Sequence, residues 1–365
     1  MEHMTEMSRM MLNRIKDPMT ISEAVGLLEE GTKFRNFADK LNAFSYGRNI
    51  RTVLTEGLVK NHPEAKFDAV DKKVRNWLNG RTQSVSKQDA FELAFILGLS
   101  LEDADRFIAM VTEEGIHWRD VMELTYGYAL SKGMAFEEAR ALYERMPKQE
   151  NENANADAST NLVKNDVLSI ADEAELAGYI EKSIAQLGKL HNTAYNLFMD
   201  YMAMLEDAGI VDGLKDEKAM TVRDVLDSYL YRSTVPAGAK GKKDVMTEAQ
   251  KLIRADWPDE TTLSRMKSRQ TDVTRKVLIL LFLATNGGDA EADYDYDDDE
   301  ELTRDEIFAD AVSRLNLMLS SSGFMKLDPR NRFDWMTMYA MCAEDIFDVD
   351  ERFSSFLSEL YSPGN

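Results

Sequence analysis

"VRNWLNGRTQSVSKQDAFELAFILGLS", residues 74–100, places a cationic amphipathic helix directly before a helix with almost no polar face. In the slightly wider stretch DAVDKKVRNWLNG, the apolar residues Val70, Val74, Trp77 and Leu78 fall at i, i+4, i+7 and i+8, which is one face of a helix. Lys72, Lys73, Arg75 and Asn76 take the opposite face. Gly80 stands where a left-handed, helix-ending residue belongs, and Arg81, Thr82 and Gln83 follow in the turn. Ser86 then caps a helix through Phe91, Leu93, Ala94, Phe95 and Leu97. Gly98 ends that helix, and Ser100 opens another whose Leu101, Ala104, Phe107, Ile108 and Val111 face inward. Three consecutive helices on one core are expected.

The same period continues outward in both directions. No segment alternates apolar and polar residues with period two, whereas the 3.6-residue period recurs almost throughout. Ser or Thr followed three residues later by an acid marks helix starts at Thr20/Glu23, Ser86/Asp89, Ser100/Asp103, Thr221/Asp224 and Thr303/Glu306, because such a pair satisfies two orphan N–H groups reciprocally. Pro18, Pro63, Pro147, Pro236, Pro258 and Pro329 sit between periodic segments rather than inside them. The fold class predicted is all-α. The stretch PKQENENANADASTN, residues 147–161, has almost nothing to bury and predicts a linker. It separates a helical domain at 1–146, with about eight short helices, from a larger acidic helical domain at 162–365. The latter includes one long helical stretch, ADEAELAGYIEKSIAQLGKLHNTAYNLFMDYMAML.

Composition narrows the class further. At 365 residues, 44% hydrophobic and 30% charged, the chain has the makeup of a globular protein. Its longest apolar run, VLILLFLA (277–284), is too short to span a membrane and predicts a buried helix, so no membrane partner is expected. The N-terminal stretch lacks the apolar core of a signal peptide, and a single cysteine, Cys342, suits a reducing cytoplasm. A net charge of −21 argues against nucleic acid only if it is evenly spread, since screening confines each field to roughly 8 Å. Residues 31–90 instead hold twelve Lys and Arg against six Asp and Glu, a local +6 that leaves −27 to the rest of the chain.

The segment VRNWLNGRTQSVSKQDAFELAFILGLSLEDADRFI resembles the second half of helix-turn-helix domains of the Cro/phage-repressor (XRE-like) type, over about residues 33–112. In that family a recognition helix ends in a Trp-x-x-Gly-like motif, and two core helices with a leucine-glycine-leucine-serine junction follow. The resemblance implies that the helix at 69–78 lies in the major groove of double-stranded DNA. Lys72, Lys73, Arg75 and Asn76 would then meet base edges or phosphates, with Arg81, Thr82 and Gln83 in the adjoining turn. Arg48, Arg51, Arg81 and Lys87 would clamp phosphates. Upstream the chain departs from the family: NIRTVLTEGLVKNHPEAKF carries Pro63 and a longer connection where a Gln-x-x-Leu-Ala helix and a tight turn are usual. GIHWRDVMELTYGYALSKGMAFEEARALYERM, a predicted helical hairpin, and LDPRNRFDWMTMYA resemble segments of long Firmicutes-type helix-turn-helix proteins. The module would thus belong to a bacterial transcriptional regulator or DNA-binding accessory factor. The alternative is a helical interaction or assembly protein of a mobile element or phage-related system, its module turned to protein binding.

No enzyme is expected, because the chain has no G-x-G-x-x-G, no phosphate-cradling G-x-x-x-x-G-K-[ST], no H-E-x-x-H and no C-x-x-C. His3, His62, His117 and His191 are far apart in sequence and share no helical spacing, so neither a metal site nor a cofactor is expected. Nine carboxylates crowd residues 289–301. Asp295, Asp297, Asp299 and Glu306 match positions 1, 3, 5 and 12 of a calcium loop, but Glu300 replaces the required glycine, and a solvated acidic loop is the expectation. Met4, Met7 and Met11, like Met199 and Met202, share helical faces, which suits core packing or adaptable partner binding. Self-association or a protein partner through the C-terminal helices is expected.

Overall fold

A computed structural model describes residues 5–31, 33–80, 84–148, 160–207, 219–236, 246–285, 303–343 and 348–362. These residues form helices and connecting turns, with no strand among them; a lone antiparallel bridge joins Glu114 and Phe324. The all-α expectation holds. No described helix is long and apolar enough to cross a membrane. The run 277–284 lies in a helix whose residues from Val277 to Leu283 are all buried, and Cys342 is buried as well.

Contacts divide the chain into two units, and both are discontinuous. One comprises Met1–Phe34, Asn192–Ser322 and Lys326–Asn365; the other comprises Arg35–His191 with Gly323–Met325. This division differs from the boundary read at 147–161. Of that stretch, 149–159 lies outside the described residues, but the helix that follows it carries Val163 and Val167 into the same core as the helices before it. A stretch with little to bury need not separate domains, because an excursion from one core has the same composition.

In the first unit, α1 (Glu6–Lys16) and α2 (Ile21–Glu30) pack against α18 (Arg332–Met341) and α19 (Val349–Leu360). Trp335 stacks on Tyr339 and donates to the Met11 carbonyl at 3.3 Å, and Tyr339 donates to that of Met19 at 3.1 Å. A buried ion pair, Arg275 with Asp334 at 2.7 and 2.8 Å, ties α16 (Arg275–Ala284) to α18. Met11 and Ile15 fill this core while Met7 and Met10 face solvent, so the methionines of α1 do not act as one stripe.

The second unit runs α3 (Phe37–Asn42), α4 (Ile50–Asn61), α5 (Phe67–Leu78), α6 (Lys87–Ile96), α7 (Leu101–Thr112), α8 (Val121–Ser131), α9 (Phe136–Arg145), α10 (Thr160–Ser169) and α11 (Glu173–Ser183). One continuous core joins Phe37, Trp77, Phe91, Phe107, Trp118, Tyr126, Val163 and Leu187. α8 and α9 form the expected hairpin, with Tyr126 and Phe136 in contact at 5.9 Å. The stretch expected as one long helix is two, α11 and α12 (Asn192–Asp207), parted at residues 184–191.

Candidate nucleic-acid interface

α5 is held by its apolar face. Val70, Val74 and Trp77 are buried, and the Trp77 ring meets Phe37 edge-on at 6.0 Å. Gly80 ends the helix with φ of 69°, where a Cβ would strain the backbone. The connection from α4 is anchored from below: Asn61 donates to Glu92 Oε1 at 2.9 Å, and His62 Nε2 lies 2.9 Å from the same carboxylate. The α5 N-terminus is open. Lys66 is its N-cap residue and no side chain caps the first turn, while Phe67 is 59% exposed.

The opposite face carries cations, but most have found carboxylates or carbonyls. Arg51 grips Asp71 side-on, Nε to Oδ1 and Nη2 to Oδ2, both at 2.8 Å. Arg75 Nε approaches Asp71 Oδ2 at 3.1 Å from one turn further along α5. Asp71 therefore joins two arginines, and its carboxyl is held below the ordinary value by the Arg51 hydrogen bonds first and the nearby charges second. Lys73 lies over the Trp77 ring at 4.9 Å and pairs with Asp89 of α6 at 3.2 Å. Lys72 is exposed and makes no ion pair among the described residues, and Asn76 is half-buried.

Two of the expected phosphate clamps do other work. Arg48 donates to the Leu97 carbonyl at 2.6 Å, which places its charge at the C-terminus of α6, where the helix dipole favours a cation. Lys87 is only 17% exposed and is drawn inward by the Gly115 carbonyl at 2.7 Å and by Glu114 and Glu123 at 3.4 Å. Arg81, Thr82 and Gln83 lie outside the described residues, as does the acidic loop at 289–301. The structure thus joins Arg51 and Arg75 through Asp71, leaves Lys72 exposed, turns Lys73 toward α6, ties the exposed Arg48 to the end of α6, and withdraws Lys87. Asp71 was not singled out in the sequence. Its i,i+4 spacing to Arg75 was visible there, but its grip on Arg51 across two helices was not.

A second titratable cluster lies inside the same unit. The rings of His117 and His191, 74 residues apart in sequence, approach to 4.1 Å, so distance along the chain misjudged this pair. His117 Nε2 donates to the Gly188 carbonyl at 2.8 Å, and its backbone N–H donates to Glu123 Oε2 at 2.7 Å. His191 stacks on Phe324, and a Cβ on Gly323, whose φ is 84°, would stand 3.0 Å from the imidazole. Burial, then the neighbouring His191, pushes the His117 imidazole well below its ordinary value; burial pushes the Glu123 carboxyl up to about 7. No group of three or more His, Cys, Asp or Glu among the described residues is arranged to hold a metal.

Compared with known proteins, the chain matches no family model, and neither a curated protein nor a solved structure matches it.

Proposed function

We propose that this chain is a DNA-binding protein, a transcriptional regulator or DNA-binding accessory factor, that meets double-stranded DNA with the outward face of α5. The observation that carries the reading is the set of exposed cations on the α5 face, Lys72 and Arg75, with Arg51 of α4 joined to Arg75 through Asp71, on a helix fixed to its core by Val70, Val74 and Trp77. The Lys73–Asp89 pair is exposed on both sides, and such pairs are worth little, so a duplex phosphate exchanges for Asp89 at small cost. The resemblance to repressor-type modules supports the same role for α5.

One observation favours a second reading, a helical interaction protein whose module binds protein. Phe67 is 59% exposed at the head of α5, and Arg51, Lys73 and Arg75 each carry a carboxylate partner. Salt dependence separates the two. With the full chain and a random-sequence duplex, the affinity should fall steeply as salt rises, and Lys72→Ala should lower the slope of log K against log salt by about 0.9, one phosphate contact. Arg75→Ala should weaken binding on every duplex and leave the melting temperature within a few degrees of wild type. A wild-type chain that binds no duplex at low salt sinks the DNA reading in favour of the protein partner.

A further inference from the structure

We propose that Asp71 sets the selectivity of this face, holding Arg51 and Arg75 to each other so that generic polyanions gain little from them; the proposal rests on the DNA reading above. The geometry is that of an internal phosphate mimic. A carboxylate gripped by Nε and Nη2 of one guanidinium presents its two oxygens in the fork that arginine also offers to a phosphate. The same carboxylate takes Arg75 Nε as well. Three N–H groups of two arginines are therefore committed within the free protein.

Burial shows which partner lies outermost. The Asp71 side chain is 16% exposed, whereas those of Arg51 and Arg75 are 51% and 52% exposed. The carboxylate sits beneath the arginines and acts through them. It halves the charge that the pair presents to solvent and fixes where the remaining donors point. A ligand that needs the side-on Nε and Nη2 fork of Arg51 has to compete with Asp71. A ligand that reaches the outer donors of both at once does not. Lys72, next along the helix, is exposed as well. The arrangement penalises single phosphates and favours a backbone that supplies two or more at a matching spacing.

The test uses the full chain as wild type, Asp71→Asn and Asp71→Glu, with two probes, a random-sequence duplex and heparin, titrated across salt. Asp71→Asn should bind heparin several-fold more tightly at low salt, with a log–log salt slope steeper by about 0.9, and should gain less on the random duplex. Asp71→Glu keeps the charge and should restore wild-type values, which a loss of helix stability alone would not do. Equal or weaker binding of heparin by Asp71→Asn overturns the proposal. Its failure is distinct from that of the DNA reading. Equal gains on heparin and on the duplex remove the selectivity role and keep the DNA reading. A gain on heparin with no duplex binding by either protein keeps the selectivity role and removes the DNA reading.

Discussion

Glu123 accepts a hydrogen bond from the His117 backbone, yet burial moves the two side chains so that pH acts on the fold in opposite directions. The Glu123 carboxyl, raised to about 7 by burial against the partial pull of Lys87, keeps a proton in the folded protein that the unfolded chain releases above its ordinary 4.5. Its contribution is therefore complete below pH 4.5 and is lost as pH rises through 7. His117 is lowered, first by burial and then by His191, so the folded protein refuses a proton that the unfolded chain takes up below its ordinary 6.5. That contribution is present above 6.5 and is lost as pH falls. Glu123→Gln removes the first effect alone. Thermal melts should show the wild type losing on the order of 3 kcal/mol relative to this variant as pH climbs from about 5 to 8. Parallel melting curves for the two proteins would mean that Glu123 is ionised throughout.

Among the helices, the starts were the most legible part of the sequence. α2, α6, α7, α13 (Val222–Tyr229) and α17 (Arg304–Ser321) each begin directly after one of the five Ser/Thr-x-x-acid pairs, and at Thr20 and Thr221 both arms of the box form. Such caps are local, so local spacing reveals them. The break between α11 and α12 was not legible, because its cause is distant: the Gln186 carbonyl accepts from Arg119, Gly188 donates to the Arg119 carbonyl, and His117 holds the Gly188 carbonyl. The candidate site divides the same way. The amphipathic α5 was evident from its period, while the partners that engage Arg48 and Lys87 belong to the end of α6, the turn after α7, and α8. Close packing also explains a glycine inside α8. A Cβ on Gly127 would stand 2.8 Å from the Trp118 ring, which is itself buried. Gly127→Ala should therefore destabilise by about 1–3 kcal/mol through overpacking, despite alanine's advantage of about 1 kcal/mol in a helix. Urea titration reads this directly, and a stabilised variant would show that the indole has room to move.

Across the whole chain, the discontinuous units decide where it can be cut. A fragment ending at residue 146 lacks Val163, Val167, Ile170, Leu176, Ile180 and Leu187, all buried in the second unit, and keeps α1 and α2, whose packing partners are α18 and α19. It should melt without a cooperative transition by circular dichroism, whereas a fragment of residues 35–191 should melt cooperatively. The reverse result would restore the boundary at 147–161. The same connectivity bears on synthesis. α1 and α2 leave the ribosome with Met11, Ile15, Val25 and Leu28 destined for burial, and the helices that cover them come roughly 300 residues later. At about 5–20 residues per second, that is a wait of roughly 15–60 s. Through that interval the nascent chain carries these apolar side chains uncovered, a natural target for a chaperone that binds such segments until α18 and α19 emerge.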